Sequence, residues 1–115
     1  MGGDNGIDVT IEGACLAMKR QKELSVIFFG NEGLILEKLK NIEFSKDKTE
    51  VIHCDKVVEM DTKPIDAIRR VGKGSSMWGC INAVSEVKAD IAISAGNTGA
   101  LMGLSTIILR TIDGI

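Results

Sequence analysis

Residues 24–29, with the sequence LSVIFF, restrict the fold of this chain more than any other segment. A short apolar run of β-branched and aromatic residues is typical of a strand buried on both faces, as in parallel sheets. Residues 50–54 predict a second strand and residues 90–94 a third. Apolar residues at helical spacing separate these strands, and strands that alternate with helices predict an α/β fold with a parallel sheet and right-handed crossovers.

Five helices are expected around these strands, and polar residues mark where two of them begin. The predicted helices cover residues 7–22, 34–42, 65–70, 77–88 and 100–110. Asp61 or Thr62 caps the third helix, and Pro64 stands near its first turn, where a missing N–H costs nothing. Ser75 or Ser76 caps the fourth helix.

Composition excludes several classes of function. With 115 residues, 44% of them apolar, one domain can bury a core without disulfides. The formal net charge of −2 and the aromatic content of 3% argue against nucleic-acid binding by phosphate neutralisation or base stacking. Cys15, Cys54 and Cys80 form no CxxC pair, so we expect neither a zinc site nor a disulfide framework.

Neither a leader nor a membrane span is expected from the sequence. The first residues lack the basic and apolar regions of a secretory signal. Residues 91–109 carry no charge and are long enough to span a bilayer. However, eight of these 19 residues are Ser, Thr, Asn or Gly, and they gather at 94–99, which favours a strand, a glycine loop and a helix.

Residues 94–100, with the sequence SAGNTGA, give the clearest indication of a binding site. They follow a predicted strand and open a predicted helix, and ligands of open α/β sheets bind at the carboxyl ends of strands. The helix N-terminus, the bare backbone at Gly96 and Gly99, and the side chains of Asn97 and Thr98 predict a phosphate or carboxylate site. The alternative is that both glycines serve only a tight turn and a close contact between helix and sheet.

A second glycine-rich segment, residues 1–6, also leads into a predicted helix. In the simpler interpretation, Asp4 caps that helix. In the functional interpretation, Gly2, Gly3 and Asp4 line the same sheet edge, and Asp4 orients a ligand.

A third such segment, residues 72–77, stands between two predicted helices. It is not a Walker A loop, because no lysine follows the second glycine at the required spacing. Ser75 and Ser76 are most simply a helix cap. With Lys73 beside them, the same helix start can hold an anion.

His53, the only histidine, adjoins Cys54 on a predicted strand. A Cys–His nucleophile needs the two side chains to meet, whereas neighbouring strand residues point to opposite faces. We interpret both residues as part of the core or partly buried, without a catalytic role.

Three groups of segments together resemble one protein family. They are MGGD at 1–4 with EGA at 12–14, DAIRR at 66–70 with SSM at 75–77, and SAGNTGALM at 94–102 with ILR at 108–110 and GI at 114–115. Their order and spacing look like those of the bacterial acyl-carrier-protein:phosphate acyltransferases, the PlsX family. The resemblance covers the whole chain, and SAGNTGALM is its most specific part.

The resemblance implies an enzyme that transfers a fatty acyl group from acyl-carrier protein to inorganic phosphate, giving acyl phosphate for phospholipid biosynthesis. It implies a Rossmann-like three-layer α/β/α fold with a mostly parallel sheet, related to phosphotransacetylases. It further implies a cytoplasmic, membrane-associated homodimer that uses no metal or nucleotide cofactor.

Asn97 and Asp4 are the expected catalytic residues under this hypothesis. The residues expected to bind phosphate or substrate are Gly2, Gly3, Lys73, Ser75, Ser76, Gly96, Thr98 and Gly99.

Members of the family are roughly three times as long as this chain, and a strand precedes their MGGD loop. We therefore expect residues 1–115 to be the N-terminal part of a single phosphate acyltransferase domain, a partial domain whose first strand and C-terminal two-thirds are missing. Three alternatives stay open. They are acyl transfer from acyl-CoA to phosphate, as in phosphotransacetylases, an inactive fragment that binds anions, and a truncated product without independent function.

Overall fold

The computed structural model describes residues 6–42, 44, 46–56, 63, 74–94 and 98–109. The helices are α1 (Gly6–Arg20), α2 (Glu32–Leu39), α3 (Ser76–Ser85) and α4 (Thr98–Ile108), and the strands are β1 (Val26–Gly30) and β2 (Thr49–His53). A 3₁₀ turn, Lys46–Lys48, leads into β2. Four of the five predicted helices and two of the three predicted strands are therefore confirmed, with small shifts at their ends.

The two strands form a parallel pair in which Val26 lies opposite Thr49 and Gly30 lies opposite His53. Parallel neighbours need a crossover connection, and α2 provides it between β1 and β2. The described residues thus confirm the expected α/β class and the parallel sheet.

Helices cover both faces of this small sheet. Phe28 packs with buried residues of α1 and α2, namely Ile11, Cys15, Met18, Ile35 and Leu39. Phe29, the next residue of β1, contacts Gly79 of α3. Because successive strand residues point to opposite faces, α1 and α2 lie on one side of the sheet and α3 lies on the other.

Helices α3 and α4 share a second apolar cluster. Its buried members are Met77 and Ile81 from α3 and Ala100 and Leu104 from α4. Met77 and Ala100 belong to the first turns of their helices, and both are buried in this cluster.

Residues 90–94 do not form the predicted third strand. The sheet contains only β1 and β2 among the described residues, and the side chains of Ile91 and Ile93 are 75% and 84% exposed. Composition gives a segment the propensity for a strand, but a ladder also needs a neighbour that accepts its backbone hydrogen bonds.

The helix ends also differ from the prediction. Helix α3 ends at Ser85 rather than at residue 88, because Val87 adopts the left-handed region with φ of 63°, where a helix cannot continue. The predicted helix over 65–70, with its caps Asp61 or Thr62, lies outside the described residues. Among the helices that the structure describes, none combines the length and the apolar character that crossing a bilayer requires.

Candidate functional site

Four of the predicted site residues are described, and all four stand at helix starts. Ser75 and Ser76 begin α3, and Thr98 and Gly99 begin α4. The other predicted site residues, Gly2, Gly3, Asp4, Lys73, Gly96 and Asn97, lie outside the described residues.

Ser75 is the N-cap of α3. Its hydroxyl Oγ accepts a hydrogen bond from the backbone N–H of Trp78 at 3.0 Å, and its side chain is fully buried. This geometry satisfies one of the N–H groups that a helix start leaves without an intrahelical partner. The capping prediction is confirmed, and it belongs to Ser75 rather than to Ser76.

The start of α3 is fixed to the chain that leaves β2. Ser76 donates its backbone N–H to the carbonyl of Lys56 at 3.0 Å, and Lys56 donates its own to Gly74 at 3.3 Å. Lys56 follows β2 by three residues, so α3 begins at the carboxyl edge of the sheet, where α/β proteins bind their ligands. The N–H groups of Ser76 and Trp78 are already used, which leaves fewer donors for an anion at this helix start.

The start of α4 combines the accessible polar side chain of Thr98 with a glycine, Gly99, that has no side chain to cover its backbone. Thr98 is exposed and Gly99 is half-buried, whereas Ala100 is fully buried against the α3–α4 cluster. A helix N-terminus carries unpaired N–H groups and a partial positive charge, and a glycine lets a ligand approach the backbone closely. This helix start therefore has the properties of an anion site.

A cavity of about 90 Å³ lies between α1, β1, α3 and residues 91–94. We call it the edge groove. Its polar side chains are Thr10, Ser76 and Ser94. Apolar residues and one thiol form the rest of its wall, namely Ile7, Ile11, Ile27, Phe28, Phe29, Ile35, Met77, Cys80 and Ile93.

His53 lies at the carboxyl end of β2 with both ring nitrogens engaged. Its Nδ1 accepts the backbone N–H of Glu32 at 3.1 Å, and its Nε2 lies 2.6 Å from Oδ1 of Asp55. Because Nδ1 is an acceptor, Nε2 carries the proton and donates it to Asp55. The ring acts as a second cap for α2 and has no nitrogen left to serve as a general base.

The prediction that His53 and Cys54 are both buried or partly buried is confirmed for Cys54 only. Cys54 is half-buried as expected, but the side chain of His53 is 44% exposed and is not part of the core. The contact with Glu32 was not predictable from the sequence, because 21 residues separate the two partners and no local motif joins them.

The surroundings of Cys54 and Cys80 disfavour the thiolate form. Burial, together with nearby Asp55 and Cys80, raises the pKa of the Cys54 thiol above its ordinary value. Burial also raises the pKa of the Cys80 thiol, against a smaller opposing effect of its hydrogen bond to Ile93. A thiol with a raised pKa is a poor nucleophile at neutral pH, so neither residue suits covalent catalysis.

The described residues thus define an α/β protein with a serine-capped helix start at the carboxyl edge of a parallel sheet. The chain belongs to the fatty acid synthesis protein family, whose model matches residues 1–115. It is 46% identical over 115 residues to a phosphate acyltransferase of Azorhizobium caulinodans, covering 100% of this chain and 32% of that protein. Phosphate acyltransferases of Rhodopseudomonas palustris strain BisB5 and of Xanthobacter autotrophicus are 45% and 43% identical over the same length, with 33% and 32% of each covered.

The chain spans about a third of the length of these curated relatives. The similarity therefore bears on the fold and on the residues within 1–115, and the remaining two-thirds of the relatives have no counterpart in this sequence.

Proposed function

We propose that residues 1–115 are the N-terminal part of a single phosphate acyltransferase domain. The domain transfers a fatty acyl group from acyl-[acyl-carrier protein] to inorganic phosphate and supplies acyl phosphate for phospholipid biosynthesis. The observation that carries this proposal is the 46% identity to a phosphate acyltransferase over all 115 residues.

The whole domain has a Rossmann-like three-layer α/β/α fold in this proposal. Helices on both faces of the parallel pair β1 and β2 support it. The described sheet has two strands, so the full layer needs further strands beside β1 or β2.

Phosphate binds at the start of α4 in the proposed site. Thr98 and Gly99 form the first turn of this helix, and Gly96 and Asn97 directly precede it in the sequence. The exposed hydroxyl of Thr98 and the helix N-terminus favour a divalent anion. Asn97 is assigned to catalysis because its amide can donate both to phosphate and to a thioester oxygen.

The remaining site residues come from two other glycine-rich segments. Gly2, Gly3 and Asp4 line the cleft in which phosphate binds at the start of α4, and Asp4 is the second catalytic residue. Lys73 supplies a positive charge near the start of α3. Ser76 borders the cleft, and Ser75 acts by fixing the start of α3, as its bond to Trp78 supports. The proposed site binds two partners, acyl-carrier protein and inorganic phosphate.

The proposed reaction depends on the positioning of phosphate and thioester and needs no covalent enzyme intermediate. A phosphate oxygen attacks the thioester carbonyl, the new C–O bond forms, and the C–S bond breaks to release the carrier-protein thiolate. Donors aimed at the carbonyl oxygen stabilise the negative charge that develops there. Beyond this charge stabilisation, the rate of acyl transfer is raised mainly by holding phosphate and thioester next to each other in the reacting orientation.

We further propose a homodimer that works in the cytoplasm and associates peripherally with the membrane to which its product is delivered. Exposed apolar side chains on α4, such as Met102 and Ile107 at 68% and 52% exposure, supply surface for such contacts. The net charge of −2 gives no support to a nucleic-acid partner.

Phosphate binding and thiol release test this proposal together. Isothermal titration with phosphate should show saturable binding, and Thr98→Val should weaken it about tenfold, the loss of one charge-assisted hydrogen bond. Thr106→Val is the matched control, because its hydroxyl bonds only to the Met102 carbonyl in the last turns of α4. Equal binding by both variants would remove Thr98 from the site.

The release of carrier-protein thiol separates the candidate activities. Phosphate-dependent release from acyl-[acyl-carrier protein], reduced by Asn97→Ala, supports the acyltransferase. Preference for acyl-CoA would instead assign a reaction like that of phosphotransacetylases. Phosphate binding without any release would assign the second candidate, an inactive fragment that binds anions.

A further inference from the structure

Lys56 lies beside the start of α3, at the carboxyl edge of the sheet. It follows β2 by three residues, and its carbonyl accepts the N–H of Ser76 at 3.0 Å. Its own N–H bonds to the carbonyl of Gly74 at 3.3 Å. These two bonds fix the backbone of Lys56 alongside the residues with which α3 begins, although the partners are far apart in the sequence.

The side chain of Lys56 lies along Gly74. Its Cδ, Cε and Cγ atoms stand 3.2, 3.5 and 3.6 Å from the position that a Cβ at residue 74 would occupy. Because Gly74 has no side chain, the aliphatic stem fills this space, and such stems commonly pack against the protein while the ammonium stays in water. Lys56 is exposed, so its Nζ, one bond beyond Cε, is accessible beside the start of α3.

The charge of Lys56 is not neutralised by the described part of the protein. Lys56 forms no ion pair with any described residue. The neighbouring Asp55 places its Oδ1 against Nε2 of His53 instead, at 2.6 Å. A free cation beside a helix N-terminus adds to the partial positive charge there, and the two together favour a negatively charged ligand.

Ser76 gives an independent indication of a ligand at this helix start. The residue is only 4% exposed, and its hydroxyl makes no hydrogen bond to a described residue. Hydroxyl groups buried to this extent normally have a partner, because leaving one unpaired is costly. Ser76 borders the edge groove, so the hydroxyl has open space before it. A ligand oxygen placed there would supply the missing partner.

The backbone contributes one more donor at the same helix start. The N–H groups of Ser76, Trp78 and Gly79 already have acceptors. The N–H of Met77 has none among the described residues. We call the ammonium of Lys56, the hydroxyl of Ser76 and the N–H of Met77 the α3 subsite.

The α3 subsite suits the phosphate group of a substrate that reacts at its other end. The proposed reaction has two substrates that carry phosphate groups, and inorganic phosphate binds at the start of α4. The second substrate, acyl-carrier protein, holds its acyl group on a pantetheine arm that a phosphodiester joins to the protein. One cation and two neutral donors match the single negative charge of a phosphodiester.

On the basis of the proposed function, we propose that the α3 subsite binds the phosphodiester of the carrier protein's pantetheine arm, with Lys56 as the cation that holds it. Lys56 is a binding residue in this assignment and takes no part in forming or breaking bonds. Holding the phosphodiester fixes one end of the arm, so the thioester at the other end is positioned for attack by phosphate.

Calorimetric titration of the chain with pantetheine 4′-phosphate tests the proposal, with pantetheine as the reference ligand that lacks the phosphate group. Lys56→Met keeps the stem and removes the charge. It should weaken the binding of pantetheine 4′-phosphate about fivefold and leave the binding of pantetheine unchanged. Lys48→Met is the matched control, because it removes the same charge at an exposed lysine on the 3₁₀ turn before β2.

Ser76→Ala separates a ligand-binding hydroxyl from a structural one. The hydroxyl has no partner among the described residues, so its removal should leave the urea midpoint unchanged. The affinity for pantetheine 4′-phosphate should fall about threefold with the loss of one hydrogen bond. A lower midpoint with unchanged affinity would make the hydroxyl structural and would overturn its place in the subsite.

Equal affinity of Lys56→Met and Lys48→Met for pantetheine 4′-phosphate overturns the proposal. Inorganic phosphate distinguishes the two sources of a phosphate group. Lys56→Met should leave its affinity unchanged, and a loss as large as that for pantetheine 4′-phosphate would assign Lys56 to the reacting phosphate and overturn the proposal. Failure of the proposed function appears separately, as inorganic phosphate binding that Thr98→Val does not weaken.

Discussion

The ring of Phe29 occupies the space that any side chain at residue 79 would need, because a Cβ built on Gly79 stands 2.9 Å from Phe29 Cδ1. This contact packs α3 directly against the sheet. Glycine at residue 79 is therefore required for close packing and not for an unusual backbone angle.

Gly79→Ala is expected to destabilise the fold. The added methyl group overpacks the contact with Phe29 at a cost of about 1–3 kcal/mol, against a gain of about 1 kcal/mol from the better helix propensity of alanine. Gly13→Ala in α1 is the matched control, since nothing lies within 4 Å of its Cβ position. Urea denaturation should show a lower midpoint for the first variant and a higher one for the second. A midpoint raised equally by both would contradict the packing role of Gly79.

Ser75→Ala should cost about 1–2 kcal/mol of the free energy of unfolding. The substitution leaves the N–H of Trp78 without the acceptor that now lies 3.0 Å away in a buried position. Ser85→Ala at the exposed end of the same helix should stay within about 0.5 kcal/mol of the parent chain. Thermal unfolding followed by circular dichroism measures both variants. Similar losses in the two would show that the hydroxyl of Ser75 does not cap α3.

His53→Leu should loosen the first turn of α2. The leucine cannot accept the N–H of Glu32, and an exposed hydrogen bond of this kind contributes about 0.5–1 kcal/mol. Hydrogen exchange at Glu32 should accelerate, whereas exchange at Leu34, whose N–H is held by Asn31, should not. Asp55→Ala is the control, because it removes the partner of Nε2 and leaves Nδ1 as an acceptor.

Cys54 and Cys80 should react slowly with iodoacetamide in the folded chain. Burial raises the pKa of both thiols above the ordinary value of 9.0, so the reactive thiolate is scarcer at pH 8 than in the unfolded chain. Peptide mass spectrometry after alkylation, with the chain in guanidinium chloride as reference, measures both rates. Folded-state rates equal to the reference would contradict the burial of these thiols.

The same shifts give the chain a stability that depends on pH. Below about pH 9 the thiols are protonated in the folded and the unfolded chain, and their burial carries no ionisation penalty. As the pH rises above 9.0, the unfolded chain ionises first and the free energy of unfolding falls. Cys54→Ser combined with Cys80→Ser should flatten this alkaline decline. An undiminished decline in the double variant would assign it to other groups.

Local patterns in the sequence were sufficient for most elements of the fold. The run at 24–29 predicts β1 because a strand buried on both faces needs apolar residues at every position. The Ser75 cap of α3 was predictable for a similar reason, since the hydroxyl bonds a backbone N–H only three residues away. The proposal for the start of α4 also rests on adjacent residues, in the segment 94–99.

Contacts between distant residues were not predictable from such patterns. Neither the bond from Glu32 to His53 nor the packing of Gly79 on Phe29 has a local signal, because each joins elements that only the folded chain brings together. The failure of residues 90–94 to form a strand has the same origin, since a strand needs a neighbouring strand that the segment itself does not supply.

The sequence alone determined the α/β class, the order of α1 to α4 with β1 and β2, a serine cap for α3 and the family resemblance, because apolar periodicity and short-range hydrogen bonds act between near neighbours. Only the tertiary structure decided that β1 pairs with β2 and that α3 lies on the opposite face from α1 and α2. These features depend on which surfaces meet, and burial and backbone pairing between distant segments are settled only when the chain is folded.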